Sequence, residues 1–219
     1  MSKLFAAFIL SVFFLSCNNS GSSGQKCNAS NETCLFNVSS LDADYAEGEI
    51  PNEALTFDTN FNLVNFSTND QDKVHKAAEL IKRVVASEEF KEAVINHLYN
   101  GKKTFVDSGS LSNSQIYQRF LQGAEKLTPA LNNVMDVELE LYYESSSVVG
   151  YTQPNTKRIW INTKYFSQYN EAQVAGNITH EWMHKLGFGH TSANTSDRAN
   201  SVPYAIGYLM NRFANNYLD

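Results

Sequence analysis

The sequence predicts a mixed α/β domain of the α+β kind, in which helices precede and follow a group of strands. Apolar residues recur at helical spacing between residues 71 and 99, and polar and apolar residues alternate between residues 134 and 143. A long helical pattern returns between residues 170 and 186. Because helix-spaced and strand-spaced segments are grouped along the chain rather than strictly alternating, the α+β class is favoured.

The part of the domain that precedes the strands is predicted to be helical. The first helix spans residues 71–99, and Ser87 followed by two glutamates can restart a second helix in its middle. Another helix is predicted from about residue 113 to residue 127, where Pro129 limits it. The apolar positions behind these predictions are Val74, Ala77, Ala78, Leu80, Ile81, Val84, Val85, Phe90, Val94, Ile95, Leu98, Ile116, Phe120 and Leu121.

Three strands and two further helices are predicted in the remainder. Residues 134–143 alternate as a half-buried strand does, and residues 148–152 and 158–162 flank a Pro-Asn-Thr turn signal and are predicted to form a hairpin. Asn170 and Gln173 are spaced like a capping pair at the start of a helix that ends near residue 186. A final helix is predicted to start near Pro203, because proline suits a first turn.

The first 16 residues resemble a secretion signal. Lys3 supplies a positive start, and residues 4–15 form an apolar run that is too short to span a bilayer. The run ends in a Ser-Cys pair similar to a bacterial lipobox, which predicts an exported protein that is lipidated at Cys17 and anchored in the bacterial cell envelope. We favour this interpretation over a simple signal peptide with an incidental cysteine, because of the length of the run and the small residue before Cys17.

Residues 17–53 are predicted to form a flexible tether, and residues 54–219 a globular domain. Ser, Gly and Asn dominate the start of the tether, and polar, acidic sequence continues to its end. In an oxidising compartment Cys27 and Cys34 are a possible disulfide. Two alternatives stay open: both are free thiols, or one thiol blocks a metal before activation.

The net charge restricts the partners of the chain. Its formal charge is −6 and its pI is about 5.4, whereas nucleic acids and anionic membrane surfaces select a basic footprint. We therefore expect no nucleic-acid partner. Separately from the charge, we expect a membrane contact through the N-terminal lipid and a monomeric protein.

The segment that carries chemistry is H-E-x-x-H at residues 180–184, on a predicted helix. Two histidines four residues apart lie one turn apart on the same face, so both imidazoles can reach one ion. The apolar stripe of this helix lies roughly opposite the histidines and is predicted to face the core; it consists of Ala175, Ile178, Trp182 and Leu186.

Gly187 and His190 extend this pattern. Glycine can take a left-handed conformation and end the helix abruptly, after which the chain can return and present His190 as a third ligand. Three neutral imidazoles leave one zinc position for water, which is typical of a catalytic zinc site. Requiring Gly and His at these offsets lowers chance matches about a thousandfold for this composition. We predict one Zn²⁺ held by His180, His184 and His190.

The complete pattern, H-E-x-x-H-x-x-G-x-x-H, resembles the long zinc motif of the metzincin peptidases, and the resemblance covers about residues 134–210. It implies a zincin-like fold with a twisted, mainly parallel mixed sheet, an antiparallel edge strand, an active-site helix across the cleft and a C-terminal helix. It also implies that Glu181 is the general base and that the edge strand binds substrate, which makes Gly150 and Tyr151 the candidate substrate-binding residues.

One feature departs from that family. Metzincins carry a methionine turn beneath the zinc site, often followed by a tyrosine that can contact the reacting centre. Here Pro203 stands where the methionine is expected, and Tyr204 after it is the candidate catalytic tyrosine. Met210 is assigned instead to the apolar face of the last helix, together with Ile206, Leu209, Phe213 and Ala214.

These observations predict a zinc-dependent endopeptidase that hydrolyses polypeptides, with water activated by zinc and by Glu181. The alternative is a non-catalytic surface lipoprotein that keeps zinc for folding or adhesion. Glu181 argues against it, because a structural site has no need of that carboxylate. A third hypothesis is a latent enzyme that requires removal of residues 17–53.

Overall fold

The computed structural model describes residues 57–128 and 131–218. The predicted signal, the tether and its three cysteines, Cys17, Cys27 and Cys34, lie outside the described residues. Within the two described ranges, no helix combines the length and the apolar character needed to cross a membrane. The helices and strands in chain order are β1 Asp58–Val64, α1 Thr68–Val85, α2 Glu88–Ile95, β2 Leu98–Tyr99, β3 Lys102–Lys103, α3 Asn113–Gln122, β4 Val134–Tyr142, β5 Gly150–Thr152, β6 Arg158–Asn162, α4 Thr163–Phe166, α5 Glu171–Lys185, α6 Ser196–Ala199 and α7 Val202–Ala214.

The main sheet is mixed and has the strand order β1-β4-β6-β5. β1, β4 and β6 run parallel to one another. β5 pairs antiparallel with β6 and forms one edge of the sheet. A separate two-stranded sheet consists of β2 and β3. The predicted α+β class, the mixed sheet and its antiparallel edge strand are therefore confirmed.

Strand β4 shows why the alternating pattern folds as it does. Val137, Leu139 and Leu141 are buried, while the acidic residues between them are half-buried on the opposite face. On that face Arg158 of β6 bonds Glu138 and Glu140. The apolar face joins one continuous core with the helices, so the sheet has one face against the core and one polar face.

Helix α5 lies in the centre of the core, as its apolar stripe predicts. All four stripe residues are fully buried. The ring of Trp182 contacts Phe57 and Phe120 edge-on, with ring centroids 5.9 and 5.0 Å apart. Its indole Nε1 donates to Glu125 Oε1 at 2.8 Å, so the buried polar end of the side chain is satisfied. The apolar face of the helix that carries the candidate motif thus packs against large aromatic side chains.

The prediction of one helical stretch over residues 71–99 is partly wrong. The restart at Ser87 is confirmed, since the Ser87 hydroxyl caps α2 by accepting from the Phe90 N–H. Residues 98–99, however, are strand β2, because the turn that follows uses left-handed conformations at Asn100 (φ 50°) and Gly101 (φ 75°). Such a two-residue Asn-Gly turn favours a hairpin over a helix.

Two other boundaries differ from the prediction. Helix α3 ends at Gln122 rather than near residue 127, because Gly123 adopts a left-handed conformation (φ 62°) and a Cβ there would lie 2.3 Å from the Val134 carbonyl oxygen. Strand β1 was not predicted. Its alternation of Asn60 and Asn62 with Phe61 and Leu63 has the strand period, but asparagine is a weak strand former.

Candidate metal centre

Local sequence sets both ends of α5. At its start Asn170 and Gln173 form the predicted capping box, with Gln173 N–H donating to Asn170 Oδ1 at 2.8 Å and Asn170 N–H donating to Gln173 Oε1 at 3.0 Å. Past its end Gly187 has φ 99°, and the N–H groups of Gly187 and Phe188 donate back to the carbonyls of His184 and Met183 at 3.1 Å. The predicted left-handed exit is confirmed, and it returns the chain toward the helix.

The three predicted histidines meet in one place. One ring nitrogen from each of His180, His184 and His190 lies within 4.8 Å of the others. The ring centroids are 5.2 Å apart for His180 and each partner and 4.9 Å apart for His184 and His190. Among the described residues these form a group of metal-ligating side chains that could hold an ion.

Backbone carbonyls orient the three rings. His184 Nδ1 lies 2.7 Å from the Phe188 carbonyl oxygen, and His190 Nδ1 lies 3.0 Å from the Thr191 carbonyl oxygen. The backbone of Pro203 hydrogen-bonds with His180. With Nδ1–H donated to a carbonyl, Nε2 of His184 and of His190 carries the free lone pair. A backbone acceptor behind each ligand is typical of metal-binding histidines.

The cluster favours neutral imidazoles. Burial, followed by repulsion from the other two rings and from Arg198, lowers the pKa of His180 well below its usual range. Burial also lowers the pKa of His184 to about 4, and burial together with His184 lowers the pKa of His190 to about 3. Each side chain keeps a partly exposed edge. Neutral imidazoles that remain reachable are the form that binds a metal.

Glu181 directly follows His180 on α5, the helix that also carries His184, and is only 4% exposed. Its carboxylate is not part of the group of converging ligand atoms. Burial raises the pKa of Glu181 to about 8, and the charge of Lys185 opposes this shift. A buried carboxyl group next to a metal-ligand set, but outside it, is suited to proton transfer rather than to coordination.

Tyr204 packs beneath two of the rings. Its ring centroid lies 4.4 Å from that of His180 and 4.7 Å from that of His190, both edge-on, and the residue is 3% exposed. Arg198 donates to its hydroxyl. The structure thus brings the candidate tyrosine into the centre. Met210 is fully buried in the core, as the apolar face of α7 predicts.

The edge strand lies against the same helix. A Cβ added to Gly150 would lie 3.1 Å from the Trp160 carbonyl oxygen and 3.2 Å from Oδ1 of Asn177, one turn before Glu181. Tyr151 points to the polar face of the sheet, where it stacks on Trp160 at 4.9 Å and meets Tyr142 edge-on at 5.3 Å. Of the two candidate substrate-binding residues, Gly150 is therefore the one that lies against α5.

Sequence inspection missed several residues that build this site. Lys185 of α5 is buried, and its Nζ donates to the carbonyls of Gln153, Thr156 and Arg158, which fixes the β5–β6 hairpin to the helix. The sequence signal that could have indicated this role is the presence of a lysine on a helix that has few other exposed positions. Arg198 carried no signal, because its side-chain acceptors, Ser192 and Tyr204, lie six residues away on either side, a spacing that no helical or strand period encodes.

Glycines bring α5 and α7 into backbone contact. A Cβ at Gly176 would lie 2.8 Å from Asn211 Cβ and 2.9 Å from the Gly207 carbonyl oxygen. A Cβ at Gly207 would lie 3.0 Å from His180 Cβ. Because the two helices cross without intervening side chains, the start of α7 reaches the histidine cluster.

The donor set itself fits a divalent transition metal. Three imidazole nitrogens with backbone-oriented rings suit zinc and leave room for further ligands. No protein-family model matches the chain, and no curated protein is similar to it.

Proposed function

We propose that this chain is a zinc-dependent endopeptidase, divergent from the metzincins whose long zinc motif it resembles. The observation that carries the proposal is the convergence of three histidine nitrogens within 4.8 Å, together with a buried glutamate on α5, the helix that carries His180 and His184. Three protein ligands with an additional carboxylate outside the set are typical of hydrolytic rather than structural zinc sites.

The mechanism follows from the residues of the site. His180, His184 and His190 would hold a zinc ion, which would supply Lewis acidity toward a substrate carbonyl and toward water near neutral pH. Glu181 accepts the proton of the attacking water and delivers it to the leaving amine. The low exposure of its carboxylate supports this role, since a proton carrier shielded from bulk water keeps its proton for the leaving group.

The position of β5 as the edge strand of the sheet supports a polypeptide substrate. Asn162 N–H donates to the Val149 carbonyl at 2.8 Å, and Gly150 pairs with Ile161 at the next position. In an antiparallel ladder the positions alternate, so the N–H and C=O of Gly150 and of Thr152 point away from β6. An extended peptide can pair with these groups as an additional strand.

The departure at Pro203 is compatible with this proposal. A methionine beneath a zinc site is not itself a ligand, and here the Pro203 backbone hydrogen-bonds with His180 while Tyr204 packs on two ligand rings. The first turn of α7 thus contacts His180 and His190 and supports their rings without a methionine. A catalytic contribution of Tyr204 remains part of the proposal.

The decisive test is the zinc content of residues 18–219. We expect about one zinc per chain, cleavage of an unstructured protein, and loss of both in His184→Ala, because two imidazoles bind zinc far more weakly than three. His75→Ala is the matched control, since His75 is exposed on α1 and lies outside the cluster. Metal analysis after gel filtration and a fluorescent casein assay measure the two properties.

Each outcome distinguishes the candidate functions. Zinc in the parent without cleavage of any unstructured substrate would favour the non-catalytic surface lipoprotein. Absence of zinc even after supplementation would reject the metal centre itself. Higher activity in residues 54–219 than in residues 18–219 would identify a latent enzyme, and equal activity would exclude latency.

We further propose that the protein is exported and anchored by a lipid on Cys17, with Cys27 and Cys34 paired. The support is the apolar run that ends at a small residue before Cys17. Mass spectrometry of protein isolated from membranes should find a diacylated N-terminal cysteine, and Cys17→Ala should release the protein from the membrane fraction. An unmodified N-terminus at another residue would contradict the anchor.

A further inference from the structure

Arg198 is a buried cation without an acidic partner in the described part of the chain. It belongs to the short helix α6 and is 4% exposed. No carboxylate among residues 57–128 and 131–218 forms an ion pair with it. Burying a guanidinium in this way is unfavourable unless its N–H groups are hydrogen-bonded. The acceptors of these hydrogen bonds belong to segments next to the histidine cluster.

The guanidinium connects two segments that shape the metal centre. Nη1 donates to the Ser192 carbonyl at 3.2 Å, and Nη2 donates to the Tyr204 hydroxyl. The guanidinium carbon also lies 4.5 Å from the centroid of the Tyr204 ring. Arginine can serve both acceptors because its donors are arranged in a rigid planar fork.

The loop that carries His190 depends on these bonds. Three hydrogen bonds of the described residues 189–195 remain inside the loop: His190 Nδ1 donates to the Thr191 carbonyl, Ala193 N–H donates to Thr191 Oγ1, and Thr195 N–H donates to the Ala193 carbonyl. Arg198 donates two hydrogen bonds into the loop, one from its side chain to the Ser192 carbonyl and one from its N–H to Thr195 Oγ1 at 3.4 Å. Without the guanidinium, little else among these bonds fixes the loop to the helices.

We propose that Arg198 is a positioning residue for the metal centre. It holds the His190 loop through Ser192 and, on the same side chain, holds the Tyr204 ring that packs against His180 and His190. The third ligand and its supporting ring are therefore fixed relative to each other by one side chain. This inference depends on the proposed function only in that the three histidines bind a metal.

The charge of Arg198 makes the geometric role the stronger explanation. A cation near a divalent metal opposes metal binding electrostatically, so the positive charge of Arg198 by itself is unfavourable at this position. The rigid guanidinium offsets this repulsion because its two donor groups fix His190, the third ligand, in position before the metal binds. Lysine would keep the charge but lose the fork, which separates the two contributions.

The experiment compares zinc affinities of residues 18–219 with Arg198→Met, Arg198→Lys and Tyr204→Phe, by competition with a chromophoric chelator below the unfolding temperature. We expect Arg198→Met to bind zinc about 10- to 100-fold more weakly, the range for residues that orient metal ligands. Arg198→Lys should recover little of this loss. Tyr204→Phe should lose several-fold, because it removes one acceptor and keeps the ring. Arg212→Met, an exposed arginine of α7, is the control and should match the parent.

A spectroscopic readout separates positioning from a general loss of stability. Cobalt(II) replaces zinc, and its visible absorption reports the ligand number and symmetry. We expect an altered cobalt spectrum in Arg198→Met at saturating cobalt, whereas a merely less stable protein would show the parent spectrum once folded. If Arg198→Met does not fold, the lysine and phenylalanine variants decide the question.

Parent-like zinc affinity together with a parent-like cobalt spectrum in Arg198→Met would overturn the positioning role. If that variant is unfolded, the same result in both Arg198→Lys and Tyr204→Phe would overturn it. Failure of the parent itself to bind zinc or cobalt is a different result, since it would reject the proposed function before Arg198 is considered.

Discussion

Glu181→Gln is expected to reduce peptide hydrolysis by a factor on the order of 10³ while zinc stays bound at the parental level. Glutamine has almost the same shape as glutamate but cannot accept a proton at neutral pH. The attacking water would then lose its base, and the leaving amine would lose its proton donor. The loss should appear in kcat, because substrate binding along β5 does not involve this carboxylate.

Zinc retention follows from the geometry of the site. The Glu181 carboxylate is not among the converging ligand atoms, which come from three histidines. Because burial raises the pKa of Glu181 to about 8, its carboxyl group in the metal-free protein is largely protonated near pH 7, and the neutral amide that replaces it is about as costly to bury. We therefore expect an unfolding temperature close to that of the parent.

Metal analysis, thermal unfolding and casein cleavage should be measured on the same preparations. Glu89→Gln is the matched control, because Glu89 is an exposed acid on α2, and it should behave as the parent in all three measurements. Cleavage by Glu181→Gln at the parental rate would reject the general-base mechanism. A loss of zinc in this variant would instead show that the carboxylate supports the metal directly.

Gly176→Val is expected to lower the free energy of unfolding by about 2–3 kcal/mol and to weaken zinc binding, although residue 176 lies outside the ligand set. Even a single added Cβ would lie 2.8 Å from Asn211 Cβ and 2.9 Å from the Gly207 carbonyl oxygen. These atoms belong to α7, so the helices must separate. The higher helix propensity of valine compared with glycine offsets only a few tenths of a kcal/mol.

The effect on zinc follows from what α7 carries. Tyr204 and Pro203 lie about one turn before Gly207, and both contact His180. When α7 moves away from α5, the ring and the carbonyl that orient His180 move with it. We expect zinc affinity to fall by about 10-fold, the lower end for residues that orient ligands.

Chemical denaturation of the zinc-free and zinc-loaded proteins measures both effects. Asp72→Val, at an exposed position of α1, gives the cost of valine in a helix without a packing conflict. In a double-mutant cycle, Asn211→Gly should reduce the penalty of Gly176→Val, because it removes the nearer of the two conflicting atoms. A penalty no larger than that of Asp72→Val would show that the helices tolerate separation at this crossing.

The chain predicts elements best where one local signal dominates. The capping pair of Asn170 and Gln173, the restart at Ser87 and the left-handed exit at Gly187 are each encoded within a few residues, and the structure confirms them. The end of α3 at Gly123 was missed, because its cause is the approach of Val134 from eleven residues further along. Strand β1 was missed because pairing with β4 stabilises a segment of weak intrinsic preference.

The candidate site likewise has one part that local sequence predicts and another part that it does not. His180 and His184 share a helix face by the helical period alone, and Gly187 allows the return that brings His190 to them. Their convergence could therefore be predicted. Lys185, Arg198 and the Gly176–Gly207 crossing could not, because each acts on residues brought near only by folding.

The sequence by itself determined the three converging histidines, the carboxylate that follows the first of them and the helix that presents two of them, since spacing along one helix and one glycine turn suffices for that. Tertiary structure alone decided how these side chains are held. The closeness of α5 and α7 and the packing of Tyr204 on His180 join segments far apart in the chain, and the contacts of Arg198 with Ser192 and Tyr204 join nearer segments that no helical or strand period brings together. The physical reason is that local periodicity fixes directions within one element, whereas distances between elements depend on packing that no single segment encodes.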